Sequence, residues 1–114
     1  MGKINSKQKG KVYEQAIRKE LSEKFYPDCK RSSYVSKYED DILKKDITET
    51  GFLNIQLKAT EKFPNFFDVL ESMPDDGNYN IIMNKRNRKG EIVVMSKGDF
   101  YELLTILRAS GVKI

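Results

Sequence analysis

From residue 52 to 59 the chain alternates between apolar and polar positions. Leu53, Ile55, Leu57 and Ala59 share one side of an extended segment, and Phe52, Asn54, Gln56 and Lys58 share the other. That period of two predicts a strand with one apolar face. Upstream the period changes. Val12, Tyr13, Ala16, Ile17, Leu21 and Phe25 recur at helical spacing, which predicts a helix over 7–25 with Ser6 as its N-cap and Pro27 and Asp28 as its stop. Cys29 to Val35 reads as a short strand, SKYEDD (36–41) as a loop, and Asp41 to Thr48 as a second strand. Thr50-Gly51-Phe52 turns into the alternating strand.

Beyond it, Pro64 suits the first turn of a helix running to about Ser72, and MPDDGN marks a loop. Tyr79 to Asn84 reads as a strand, NRKG turns into a strand from Glu91 to Met95, and Ser96 caps a last helix that runs to about Ala109. Gly111 ends it. The expected order is αβββαββα: an α/β domain over residues 1–114 with a mixed five-stranded sheet flanked by helices.

Composition narrows the chemistry. The chain has 114 residues, enough for one modest core. No apolar run approaches the roughly 18 residues that would span a bilayer, so no membrane partner is expected. The basic start MGKINSKQKGK leads into no apolar stretch, so it does not read as a secretory signal. One cysteine, Cys29, permits no internal disulfide and suits a reducing compartment such as the cytoplasm. With no histidine, Cys/His zinc sites and histidine-assisted nucleophiles are excluded. Catalysis would have to use carboxylates, lysine and a hard metal.

The net charge is +4, but the positive residues cluster at 3–11, at Lys30 and Arg31, and in KRNRK at 85–89. Such clusters suit a nucleic-acid backbone. Lys7, Lys9, Lys11, Arg31, Ser32, Ser33, Lys85, Arg86 and Arg88 are the candidate DNA contacts. None is arranged to read bases, which points to recognition by shape.

If 50–52 is a three-residue hairpin loop, Ile47 faces Ile55 and Asp46 faces Gln56. Asp46, Gln56 and Lys58 then share one face. Glu14 lies at the edge of the first helix's apolar stripe, from which a helix packed on the sheet could aim it at the same hairpin.

An Asp, then Gln-x-Lys ten residues on, with a Glu on a preceding helix, resembles the PD-(D/E)-x-K nuclease superfamily. The match is closer to its phage-type branch, the Holliday-junction-resolvase-like nucleases. INSKQKGKVYEQAIRKEL resembles their basic start and glutamate-bearing helix, DITETGFLNIQLKAT their catalytic hairpin, and IIMNKRNRKGEIVVMSKGDFYELL their second hairpin and last helix. The resemblance covers nearly the whole chain and implies a restriction-endonuclease-like core. It implies a homodimer that hydrolyses phosphodiester bonds in branched DNA, foremost four-way junctions, leaving 5′-phosphates. It also implies Mg²⁺, or alternatively Mn²⁺, held by Asp46, the Gln56 side-chain oxygen, the Leu57 carbonyl and Glu14. Lys58 would orient the attacking water and stabilise charge on phosphorus. Two departures stand out: Gln56 replaces the usual Glu or Asp, and Lys45 replaces the usual Pro. Asp41 competes with Asp46 for its role. Action on flaps, nicks or plain duplex, or DNA binding without cleavage, are the alternative readings.

Overall fold

The computed structural model describes residues 6–32, 44–60, 62 and 64–114. Helix α1 (Ser6–Lys24) opens the chain, followed by β1 (Lys30–Arg31), β2 (Ile47–Thr48) and β3 (Leu53–Ala59). Helix α2 (Phe66–Ser72) leads to β4 (Tyr79–Arg86), β5 (Gly90–Val94) and α3 (Lys97–Ala109). The five strands form one mixed sheet in the order β1-β2-β3-β4-β5. Only β3 and β4 run parallel. A parallel neighbour needs a crossover, and α2 lies in that connection. The expected α/β class with a mixed sheet and flanking helices is what the chain forms.

The hairpin has the register that its pattern predicts, with Ile47 opposite Ile55. Its turn is closed by Leu53 N–H donating to Thr50 O at 3.1 Å and by the Thr50 hydroxyl donating to Leu53 O at 2.8 Å. Gly51 has φ +58°, and a Cβ there would lie 3.3 Å from the Tyr26 ring, so both conformation and space call for glycine.

Tyr13, Ile17 and Leu21, four residues apart along α1, are buried against Ile47, Ile55, Leu57 and Ile81. Full burial of each of these isoleucines contributes about 1.5–3 kcal/mol. The stripe is narrower than expected: Val12 and Phe25 are exposed. Helix α2 covers the other side, where Phe66 and Leu70 share a groove with Asn80 and Val94.

Three boundaries differ from expectation. The second strand starts at Ile47, not Asp41: Lys44 to Asp46 form a bend with Lys44 at φ +55°, and residues 41–43 lie outside the described residues. Of the strand expected over 29–35, Lys30 and Arg31 are extended, and 33–35 are outside the described residues. Pro64 precedes α2 instead of entering it, because Asn65 is the cap and its side chain accepts from Asp68 N–H.

Candidate functional site

The open edge of β3 organises the site. Tyr79 N–H donates to Phe52 O and Thr60 N–H to Lys85 O, so even-numbered residues of this strand turn their backbone groups to β4. Odd-numbered ones face β2: Asp46 N–H donates to Ile55 O at 2.8 Å. Because β2 begins only at Ile47, no strand among the described residues lies beside the edge of β3 beyond Ile55. Asp46 fills the gap with its side chain. Leu57 N–H donates to Asp46 Oδ2 at 2.7 Å. The N–H and C=O of one strand residue project to the same side, so the Leu57 carbonyl opens onto this edge beside the carboxylate.

Asp46 is held from several directions. Ser32 N–H donates to Asp46 O at 2.9 Å, and the Ser32 hydroxyl donates to Lys45 O. Lys45 Nζ donates to Asn54 Oδ1 at 3.4 Å. A carboxylate fixed this way is positioned in advance of any ligand.

Gln56 and Lys58 project from the face opposite Ile55 and Leu57. Gln56 Oε1 is buried with no hydrogen-bond partner among the described residues. An orphaned buried acceptor is costly, about 1–3 kcal/mol, unless something supplies a positive charge or a donor. Lys58 is half-buried and makes no ion pair among the described residues, while its carbonyl accepts from Asn84 Nδ2 at 3.1 Å.

The same face carries a polar network that the sequence reading missed. Asn54, fully buried, donates through Nδ2 to Asp76 Oδ1 at 2.9 Å and Asn80 Oδ1 at 2.8 Å. The Asn54 amide holds the Asp76 carboxyl below its ordinary pKa, helped by Asn78 N–H and the Lys45 charge. The available signal was asparagine in strand interiors, where it is disfavoured: Asn54 and Asn80 are register partners.

Glu14 is elsewhere engaged. Arg31 Nε lies 3.4 Å from Glu14 Oε1, and the two side chains are 8% and 24% exposed. Arg31 is the partner of Ile47, so the pair sits on the α1 side of the sheet, and Gln56 and Lys58 point to the other side. Arg31 and Ser32 were expected to meet phosphate, but both are buried and committed to internal bonds. Lys9 and Lys85 do come together. They line a cleft of about 120 Å³ between the first half of α1 and the ends of β3 and β4, with Thr60 and Asn87. Lys11 is exposed on α1, and Arg86 and Arg88 are exposed on the β4–β5 hairpin, with Arg88 at φ +62°. The Lys7 side chain, Ser33 and Asp41 lie outside the described residues.

Among the described residues, no three His, Cys, Asp or Glu side chains group together to hold a metal. The oxygens here are of another kind: the Asp46 carboxylate and the Leu57 carbonyl at the β3 edge, and the Gln56 amide oxygen on the adjoining face, all hard oxygens of the type that Mg²⁺ takes. The buried Gln56 oxygen, without a hydrogen-bond partner among the described residues, is chemically compatible with such an ion. No helix among the described residues is long and apolar enough to cross a membrane. No family model matches the chain, and neither a curated protein nor a solved structure is significantly similar to it.

Proposed function

We propose that this chain is a metal-dependent endonuclease with a restriction-endonuclease-like core, acting on branched DNA and foremost on four-way junctions. The observation that carries the reading is the buried, unpartnered Gln56 oxygen two residues from Lys58 on a strand whose open edge holds the Asp46 carboxylate. Asp46, Gln56 Oε1 and the Leu57 carbonyl would hold Mg²⁺ or Mn²⁺. Bound there, the ion would polarise the scissile phosphate and acidify a water. Lys58, free of ion pairs among the described residues, would orient that water and stabilise charge gathering on the phosphate oxygens. Lys9 and Lys85 would receive the DNA backbone beside the C-terminal ends of the parallel strands β3 and β4, with Arg86 and Arg88 extending the basic surface. Two such chains would be needed to cut opposed strands of a junction.

A second reading has its own support: the Glu14 carboxylate is spent on Arg31, which leaves one anionic side chain at the metal position. On that reading the chain binds DNA without cutting it. Incubating a radiolabelled four-way junction and a linear duplex with the protein, with and without Mg²⁺, separates the two. The expected result is Mg²⁺-dependent cleavage of the junction, lost in Lys58→Ala with junction affinity little changed, because affinity comes from many phosphate contacts. Cleavage that persists in Lys58→Ala would remove that residue from the chemistry. Binding with no cleavage would leave the second reading.

A further inference from the structure

The apolar stripe of α1 runs short of bulk where it meets the end of β3. Its residue there is Ala16, and the strand itself ends in Ala59. Two alanines at one junction leave a gap that larger side chains would close. That gap is the cleft of about 120 Å³ beside Lys9 and Lys85. Val12 and Tyr13 complete its apolar lining, and Val12 is 55% exposed, so apolar surface is left open to water here. Polar groups share the lining. Thr60 Oγ1 accepts from Lys62 N–H at 3.1 Å, which leaves its own O–H to donate. Asn87, exposed in the turn between β4 and β5, offers both a donor and an acceptor. Thr60 N–H donates to Lys85 O at 3.2 Å, so the two strand ends that carry these groups are tied together.

We infer that this cleft holds the base of one unpaired nucleotide at the branch of the DNA, with the adjoining phosphates on Lys9 and Lys85. On the branched-DNA reading, on which this rests, it names the feature of the branch that is gripped. The cleft is well below the roughly 300 Å³ at which sites for extended ligands begin, and its size suits a single ring system. A base has apolar faces and polar edges, and the cleft sets apolar surface beside a hydroxyl and an amide. Contacts of that kind take a base without reading sequence. The anionic backbone attached to the base meets Lys85 and the Arg86, Arg88 and Lys89 that follow it. The cleft also opens at the C-terminal ends of two parallel strands, where open α/β sheets take their ligands. Thr60 follows Lys58 by two positions, roughly 7 Å along the strand, so a DNA strand held there passes beside the proposed chemistry. A base inside a duplex would first have to leave its stack, whereas an unpaired one at a branch enters at the least cost.

Fluorescence anisotropy without divalent metal tests this, because nothing is then cut. A four-way junction with one extra unpaired nucleotide at the branch is compared with the same junction carrying an abasic residue at that place. The wild type should bind the first about tenfold more tightly, within the range that a single base contact contributes. Ala16→Leu, at an exposed position where leucine suits the helix, adds three carbons to the cleft and should bring the ratio close to one. Asn87→Ala, in an exposed turn outside helix and sheet, should lower it several-fold. Far-UV circular dichroism checks that each variant is folded. A wild-type ratio near one, or a tenfold ratio that survives both substitutions, would overturn the inference. Cleavage is scored separately with Mg²⁺. A tenfold ratio without cleavage keeps the base site and removes the nuclease, whereas cleavage with a ratio of one removes the base site and keeps the nuclease.

Discussion

The Leu57 amide donates to Asp46 Oδ2 at 2.7 Å, across an edge of β3 that no strand among the described residues covers. A side chain here does what a neighbouring strand would do. The carboxylate is fixed by the residue whose own carbonyl would complete the proposed oxygen set, so fold and candidate chemistry depend on one contact.

That dependence can be split by substitution. Asp46→Asn keeps an oxygen that can accept from Leu57, so stability should change by less than about 1 kcal/mol. Asp46→Ala leaves the amide bare and should cost about 1–3 kcal/mol. Urea unfolding measures both. Metal-dependent cleavage should vanish in each, while Asp41→Asn should cleave as the wild type does. Loss of cleavage in Asp41→Asn with activity retained in Asp46→Asn would assign the metal to Asp41.

Glu14 gives a prediction of the opposite kind. Its partner Arg31 is buried, and removing one member of a buried pair leaves an uncompensated charge. Fully buried pairs lose roughly 3–5 kcal/mol this way, and with Glu14 still 24% exposed about 2 kcal/mol is expected for Glu14→Gln. Arg31→Met added to Glu14→Gln should recover most of the loss. Should Glu14→Gln unfold at the wild-type urea midpoint, the pair contributes nothing and Glu14 is available to a metal.

These two residues mark how far the sequence could be read. Period-two alternation and a glycine turn sufficed for the hairpin register, because a slip by one residue would turn Leu53, Ile55 and Leu57 to the wrong face. The register carried Asp46 to the edge of β3, where it bonds Ile55 and Leu57. Helical spacing likewise gave α1 and the caps of α3. What no local pattern contains is which distant groups meet. Glu14 finds Arg31 because β1 pairs with β2 under α1, and Asn54 finds Asp76 because the loop after α2 returns beside β3. Arg31 and Ser32 looked like surface groups for the same reason: a two-residue strand carries no alternation from which burial could be inferred.

The Asn54–Asp76 bond should appear in the pH dependence of stability. Asp76 has a folded pKa below its ordinary value, chiefly through Asn54. A depressed carboxyl contributes stability above its unfolded pKa, and that contribution is lost as pH falls through the folded pKa. Asp76→Asn should therefore be less stable than wild type at pH 6–7. The gap should begin to narrow as the pH falls below about 3.8, and close only below the lower folded pKa, where the wild-type carboxyl is protonated as well. Unfolding midpoints from pH 7 to pH 3 provide the comparison. A gap that stays constant across this range would mean that the Asp76 charge is not what Asn54 holds.

Gln56 decides whether the site is a metal site at all. Its Oε1 is buried and unpartnered, a state that a bound cation would relieve. Gln56→Glu puts a carboxylate at nearly the same length and adds a second anionic ligand beside Asp46, so Mg²⁺ should bind more tightly. Gln56→Leu keeps the bulk and offers no oxygen, so Mg²⁺ should bind more weakly. Stability without metal should move the other way. Leucine removes the orphaned acceptor and should raise the urea midpoint, whereas a buried glutamate should lower it or take up a proton. Turnover is the poorer readout for Gln56→Glu, because a new charge near Lys58 also favours the protonated amine. Calorimetric titration of Mg²⁺ into the three proteins, paired with metal-free unfolding, reads both effects. Opposite orders of affinity and metal-free stability would establish Gln56 as a ligand held at a cost to the fold. Equal Mg²⁺ affinities across the three would sink the metal assignment and leave DNA binding without cleavage as the reading that stands.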